Sequence, residues 1–193
     1  MPRLVVLAGP NGAGKTTFAK QMFTAEISAG SYLNADEEAA TLNPASVDQV
    51  ALQAARNLLA RRREFIAAGR DLIVETTLAG RSFLREVNRA QRVGYRVELH
   101  YLFVPTVELC MERVLFRVQR GGHGIPSAVI TRRYARSLAL LPSFLASADS
   151  YALWDVSADP KLFARKSGDG VSVLDDVVWL SLAAKMKIHA QAL

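Results

Sequence analysis

The stretch of sequence that decides the fold reads Gly9-Pro10-Asn11-Gly12-Ala13-Gly14-Lys15-Thr16-Thr17. It fits the pattern G-x-x-x-x-G-K-[ST], which is typical of a phosphate-binding loop between a strand and a helix. A short apolar run, residues 3–8, precedes it, and a helix is predicted from Lys15 onward. Glycines let such a loop turn its backbone N–H groups toward phosphate oxygens, and the helix presents its positive end to the same oxygens. All nine residues are therefore predicted to bind the phosphates of a nucleotide.

Two side chains of this loop carry most of the expected chemistry. Lys15 is predicted to reach the β- and γ-phosphates of a nucleoside triphosphate, and Thr16 to place its hydroxyl on Mg²⁺. The pattern thus predicts two bound cofactors, a nucleoside triphosphate and Mg²⁺.

Outward from the loop, strands and helices alternate along the chain. Strands are predicted at residues 3–8, 32–35, 71–76, 95–104 and 151–156, with a further strand at 171–174. Helices are predicted at 15–27, 47–68, 82–94, 106–120, 127–145 and 177–190, and a loop at 161–170. This alternation predicts an α/β fold of the P-loop NTPase, kinase-like kind: three layers, with a parallel central sheet of about five strands, helices on both faces and a helical lid. The length of 193 residues fits one domain spanning residues 1–193.

Composition excludes several classes of protein. Half of the residues are hydrophobic, but no apolar run approaches the roughly 20 residues of a membrane span, so no membrane association is expected. The loop begins so early that no cleavable leader is expected, and the single cysteine, Cys110, fits a cytoplasmic location. The net charge of +6 suits polyanionic partners such as nucleotides; no nucleic-acid-binding module is recognisable, so nucleic acid is not the expected partner. The basic run 61–63 is expected on a solvated helix surface.

Carboxylates follow the second and third predicted strands. Ligands of parallel sheets bind beyond the carboxyl ends of the strands, so both carboxylates are candidate site residues. Asp36 can accept the proton of an attacking hydroxyl or bind Mg²⁺ through water; alternatively, with Glu37 and Glu38, it forms the first turn of a helix. Glu75 can hold a magnesium-bound water or a substrate hydroxyl, or bond N–H groups at the strand exit. Asp36, Glu75 and the adjacent Thr76 are the candidate substrate-binding residues at these two strand ends.

Five arginines flank a glycine-rich turn: Arg113, Arg117, Arg120, Arg132 and Arg133. The first three recur at helical spacing, so they share one face of a helix. Two helices around a flexible turn predict a lid at about residues 113–136. Such a lid would close arginines onto the transferring phosphate and exclude water. The alternative is an ordinary solvated helix face.

The motifs that follow one another along the chain resemble those of the zeta-toxin family of P-loop kinases, in its short bacterial form. They are Asn-Ala-Asp at 34–36, Glu-Thr-Thr-Leu at 75–78, Arg-Gly-Gly-His at 120–123 and Arg-Arg-Tyr at 132–134. The resemblance covers roughly residues 3–157. It implies an ATP- or GTP-dependent kinase acting on a hydroxyl of a small acceptor, a UDP-linked N-acetyl amino sugar in the toxins. It also implies an antitoxin protein as a partner.

The same resemblance implies roles for individual residues. Asp36 matches the family's catalytic base, Lys15 and Thr16 match its phosphate and magnesium ligands, and Glu75 matches an acidic residue of the substrate side. These assignments agree with the chemistry expected from the strand ends.

For the lid, the resemblance implies that Arg120 and Arg133 contact the γ-phosphate, with Arg117 and Arg132 as the neighbours that replace them if the alignment shifts. The leading hypothesis is phosphoryl transfer from ATP to a hydroxyl of a small anionic acceptor. The second is a nucleotide-switched ATPase or binding protein that acts on a macromolecular partner.

Overall fold

A seven-stranded sheet forms the centre of the computed structural model, which describes residues 1–43, 47–168 and 170–191. Its strands are β1 (Arg3–Ala8), β2 (Tyr32–Leu33), β3 (Leu72–Thr76), β4 (Arg96–Phe103), β5 (Ser150–Asp155), β6 (Lys161–Ser167) and β7 (Gly170–Val173). Their order across the sheet is β2-β3-β1-β4-β5-β6-β7. The first five strands are parallel, which confirms the predicted parallel core.

Eight helices are described. They are α1 (Lys15–Met22), α2 (Thr24–Ser28), α3 (Ala35–Leu42), α4 (Val47–Ala67), α5 (Arg81–Arg92), α6 (Val107–Gln119), α7 (Ser127–Ser147) and α8 (Asp176–Ala190). The connection from β1 to β2 runs toward one edge of the sheet, and the connections from β2 to β3, from β3 to β4 and from β4 to β5 run toward the other edge. Right-handed crossovers that run in opposite directions place their helices on opposite faces of the sheet. None of the helices described is long and apolar enough to cross a membrane.

The middle of the sheet is the core. β1 pairs with β3 on one side and β4 on the other, and Val5, Val6 and Leu7 of β1 are almost completely buried. A strand that is covered on both faces needs apolar residues in succession rather than in alternation, which is why residues 4–8 read as one apolar run. This burial fixes the point where β1 ends and the phosphate-loop pattern begins.

The predicted loop at 161–170 is wrong. β6 pairs antiparallel with β5, and β7 pairs antiparallel with β6; position 169 lies outside the described residues. The register shifts opposite Leu153 and Trp154, so that Phe163 is an extra, unpaired residue in β6. The two neighbours Phe163 and Ala164 are both buried as a result. Such a bulge breaks the period of two by which a strand is recognised in a sequence.

The predicted helix at 15–27 is in fact two helices. Phe23 leaves the helical conformation, with φ −128° and ψ 37°, and separates α1 from α2. Its ring is buried and packs edge-on against His100 of β4, with the ring centroids 5.3 Å apart. The break thus coincides with the burial of this ring against the sheet.

The prediction of a solvated surface for the basic run 61–63 is wrong at one of its three positions. Arg62 of α4 is only 7% exposed; it forms an ion pair with Glu86 of α5, and its guanidinium lies 5.2 Å from the centroid of the Phe83 ring. Its Nε has no hydrogen-bond partner among the described residues. Arg62 therefore fastens α4 to α5.

We expect Glu86→Ala to destabilise the protein by about 1–3 kcal/mol, because it leaves a buried guanidinium without its counter-charge. Arg62→Met removes the charge but keeps an apolar stem against Phe83, so its cost is expected to be smaller. Urea unfolding of the two variants measures the difference. The opposite order of stability would contradict a role for this ion pair in holding the two helices.

Candidate active site

One cavity of about 840 Å³ opens where the parallel strands end. It is lined by the loop and start of α1 (11–18), the exit of β2 (34–36), the exit of β3 (75–77) and the turn after β5 (156 and 158–160), together with Leu102 of β4, the distal half of α6 and Arg133 of α7. The predicted position of the site, beyond the carboxyl ends of the strands, is where the cavity is found.

The loop after β1 has no room for side chains at two glycines. Gly9 has φ +149°, and a Cβ there would lie 2.6 Å from the carbonyl oxygen of Leu102 in β4. Gly12 has φ +80°, and its Cβ would lie 2.6 Å from the carbonyl oxygen of Cys110 in α6. The loop therefore packs closely against both β4 and α6. The N-cap of α1, Gly14, places no side chain over the first N–H groups of the helix, which leaves them available to an anion.

Lys15 lies at the floor of the cavity and is 7% exposed. Its Nζ donates a hydrogen bond to the carbonyl oxygen of Pro10 (3.0 Å) and lies 3.8 Å from Oε1 of Glu75. Burial lowers the pKa of Lys15, and the carboxylates of Glu75 and Asp36 oppose this shift. A buried ammonium needs anionic partners, and phosphate oxygens in the loop would supply them.

Glu75 is the centre of a hydrogen-bond cluster. Its Oε2 accepts hydrogen bonds from Thr16 Oγ1 (3.0 Å), from Asn34 Nδ2 (2.8 Å) and from the phenol of Tyr32. Burial, and then the Glu75 carboxylate, raise the pKa of Tyr32 well above its usual range. The sequence indicated no role for Tyr32, and it indicated Asn34 only as part of the Asn-Ala-Asp motif. The one further signal is that a polar side chain begins β2 and another directly follows it.

The residues present fit Mg²⁺. Thr16 and Glu75 bring a hydroxyl and a carboxylate, both hard oxygen donors, within 3.0 Å of each other beside the loop. In the part of the chain that is described, no three His, Cys, Asp or Glu side chains are grouped as a metal cage. Mg²⁺ in kinases is usually held by one or two protein oxygens, with phosphate and water oxygens completing the shell.

Asp36 lies in the first turn of α3 and lines the cavity. The residue that caps this helix is Asn34, whose Oδ1 accepts the backbone N–H groups of Asp36 (2.8 Å) and Glu37 (3.3 Å). The Asp36 side chain is therefore not the helix cap; it is exposed to the cavity, on the side of the β2 exit.

The arginines that flank the glycine-rich turn differ in position. Arg133 of α7 lines the cavity, and its Nη1 lies 3.5 Å from Oδ1 of Asn11 in the loop, whereas Arg132 is exposed and does not line the cavity. Arg120 also lines the cavity, with its guanidinium 4.3 Å from the centroid of the Phe116 ring. Of the two neighbours at this point of α7, the structure thus places Arg133 beside the loop.

Arg117 organises the glycine-rich turn between α6 and α7. Its Nη2 donates to the carbonyl oxygen of His123 (2.7 Å), and its own carbonyl oxygen accepts the N–H of Gly122 (3.0 Å). One turn earlier, Arg113 Nη2 donates to the carbonyl oxygen of Ser157 after β5 (2.8 Å). These contacts tie α6 to the turn on one side and to the sheet on the other.

We expect Gly122→Ala to open the turn, because a Cβ there would lie 2.6 Å from Cγ and 2.9 Å from the carbonyl oxygen of Arg117. Trypsin should cleave after Arg117 or Arg120 several-fold faster than in the wild type. Gly124→Ala is the matched control, because its Cβ would meet only Val118 Cγ2 at an ordinary 3.5 Å. Equal cleavage of the two variants would show that Arg117 does not hold the turn.

The chain belongs to a family of P-loop domains: the family model AAA_33, described as an AAA domain, matches residues 4–141. It is 26% identical over 133 residues to an uncharacterised protein of Haemophilus influenzae, a stretch that covers 68% of this chain and 92% of the relative.

Solved structures share the fold. A chain of the AvrRxo1-ORF1:-ORF2 complex crystallised with ATP superposes with a TM-score of 0.76 at 20% identity over 96% of this chain; this chain spans 64% of that one. The PezAT chromosomal toxin-antitoxin system of Streptococcus pneumoniae gives a TM-score of 0.61 at 14% identity, covering 98% of this chain and 87% of that chain. A putative kinase from Chloroflexus aurantiacus gives 0.52 at 15% identity, covering 70% and 78%. The predicted P-loop kinase-like fold and its likeness to zeta-toxin structures are thereby confirmed.

Proposed function

We propose that this protein is a kinase that transfers the γ-phosphate of ATP, or of GTP, to a hydroxyl of a small anionic acceptor. The observation that carries the proposal is that one cavity is lined by the loop lysine Lys15, by the carboxylate Asp36 and by the lid arginines Arg120 and Arg133. Phosphoryl transfer needs these three kinds of group: a phosphate cradle, a group that accepts the hydroxyl proton, and cations for the charge that develops.

Each group has one role in the proposed reaction. Backbone N–H groups of the loop and Lys15 hold the triphosphate, and bound Mg²⁺ would neutralise phosphate charge. Asp36 accepts the proton of the acceptor hydroxyl. The hydroxyl oxygen bonds to the γ-phosphorus, and the bond between the γ-phosphorus and the bridging oxygen of the departing diphosphate breaks. Arg120 and Arg133 stabilise charge on the transferring group. Thr76 also lines the cavity, where it can orient the acceptor.

For the acceptor, the arginines that line the cavity favour an anionic molecule. A nucleotide sugar, such as the UDP-linked N-acetyl amino sugar that the zeta-toxin resemblance implies, has the required hydroxyls and charge. An antitoxin-type partner and a cytoplasmic location belong to the same proposal. The partner is supported by the PezAT toxin-antitoxin system among the structures that share this fold.

The proposal is tested by incubating the protein with γ-labelled ATP, Mg²⁺ and a panel of nucleotide sugars, and separately with a metabolite extract. Transfer of label to a small molecule is the expected result. Label released only as inorganic phosphate, and faster with a macromolecule present, would favour the nucleotide-switched protein instead.

Among the lid residues, we expect Arg133→Ala to lower kcat by about 10³-fold or more, since arginines at the transferring phosphate contribute that much in other phosphoryl-transfer enzymes. Arg132→Ala, one residue away and outside the cavity, is the matched control and should retain activity. Steady-state kinetics on the identified acceptor measures both. A larger loss in Arg132→Ala would mean that the lid closes in a different register.

A further inference from the structure

The two oxygens of the Glu75 carboxylate have different surroundings. Oε2 accepts three hydrogen bonds, from Thr16, Asn34 and Tyr32, while Oε1 lies 3.8 Å from the ammonium of Lys15. An ionised carboxylate offers about four lone-pair sites over its two oxygens. Oε2 is therefore saturated by protein donors, and the whole group is fixed between the loop, α1 and β2.

The hydrogen bond from Thr16 has a defined direction. An ionised carboxylate can only accept, so the Thr16 proton points to Glu75 Oε2 at 3.0 Å. A hydroxyl binds a metal ion through an oxygen lone pair, which requires that its proton be directed elsewhere. The amide Nδ2 of Asn34 also lies within hydrogen-bond distance of Thr16 Oγ1 (3.3 Å), so one lone pair of this hydroxyl faces Asn34 and the other remains for a metal ion. Glu75 and Asn34 together therefore fix the orientation of Thr16, the residue that the loop pattern assigns to Mg²⁺.

Tyr32 completes the cluster from the neighbouring strand. Its side chain is buried, and β2 pairs with β3 so that Tyr32 lies opposite Ile73, two residues before Glu75. Asn34 Nδ2 donates to the Tyr32 hydroxyl at 3.0 Å, so the phenol proton is directed to Glu75. Asn34 thus donates a hydrogen bond to Tyr32, and Tyr32 donates one to Glu75. This chain of hydrogen bonds fixes the carboxylate.

With Glu75 on the metal side of the site, as its bond from Thr16 indicates, we propose that Tyr32 is a positioning residue that acts through Glu75 on the Thr16 hydroxyl. This inference rests on the proposed binding of a nucleotide with Mg²⁺. It differs from the substrate-side role that the zeta-toxin resemblance implies for Glu75. Asp36 then remains as the carboxylate that faces the acceptor.

The test measures the binding of Mn²⁺ to the protein by electron paramagnetic resonance, with ADP present at a saturating concentration. Tyr32→Phe removes the phenol donor and frees the carboxylate to rotate, so Mn²⁺ should bind the protein–ADP complex about 10-fold or more weakly, as is usual when a residue behind a metal ligand is lost. The affinity for ADP in EDTA and the KM for the acceptor should not change. Tyr101→Phe is the matched control, since it removes a buried tyrosine hydroxyl that contacts Ser137 and has no described bond to the Glu75 cluster.

Wild-type Mn²⁺ affinity in Tyr32→Phe would overturn the proposal, and so would an equal loss in Tyr101→Phe. A raised acceptor KM with unchanged Mn²⁺ affinity would return Glu75 to the acceptor side. If Tyr32→Phe does not fold, Asn34→Ser keeps a capping hydroxyl for α3 but removes the amide donor, and the same loss is expected; retained Mn²⁺ affinity there overturns the proposal. Because the assay needs no transfer, absent kinase activity with intact Mn²⁺–ADP binding would reject only the proposed function.

Discussion

Asp36→Asn is expected to lower phosphoryl transfer by about 10²- to 10⁴-fold while nucleotide binding survives, because the amide cannot take the proton of the acceptor hydroxyl. The substitution keeps the size of the side chain in the first turn of α3, where Asn34 is the helix cap. Rates of label transfer from γ-labelled ATP and calorimetric titration with ADP measure the two effects separately.

The neighbouring residue supplies the control for Asp36. Glu37 lies in the same helical turn, is exposed and does not line the cavity; its only described ion pair is with Lys20 at 3.6 Å. Glu37→Gln should therefore transfer phosphate as the wild type does. Unchanged transfer by Asp36→Asn would remove Asp36 from the mechanism.

Lys15→Ala is expected to impair both nucleotide binding and transfer, each by about 100-fold or more, which is the effect of losing two hydrogen bonds to charged phosphate oxygens. Lys15 is buried beside Glu75, so the variant also leaves that carboxylate without its nearest cation. Calorimetry with ADP and transfer assays measure the losses, and thermal unfolding shows whether the fold is retained.

Lys20→Ala is the matched control, because Lys20 belongs to the same helix but has a 64% exposed side chain. It should behave as the wild type in both assays. Tight ADP binding by Lys15→Ala would be incompatible with the proposed position of the phosphates.

The sequence predicted those parts of the protein in which neighbours in the chain are also neighbours in space. β1, the loop and α1 form one continuous stretch with a distinctive pattern, so the position of the cavity could be predicted from residues 9–17 alone. Asp36 and Glu75 could be placed beside it because parallel strands end at one edge of the sheet.

Features that depend on packing between distant segments could not be predicted. The cluster of Tyr32, Asn34 and Glu75 joins two strands that are about 40 residues apart, and β6 was concealed by a bulge that only its pairing with β5 creates. The choice between Arg132 and Arg133 depends on how α7 is rotated about its axis, because adjacent residues on a helix point in directions about 100° apart.

The close fit at Gly12 limits how the enclosing helix can travel. The backbone of Cys110 in α6 already touches the loop, and Arg113 is bonded to Ser157, so the first half of this helix is clamped to the body of the molecule. Any closure over this cavity would therefore be confined to the part of α6 beyond Arg113 and the turn that follows it, and the displacement would be short.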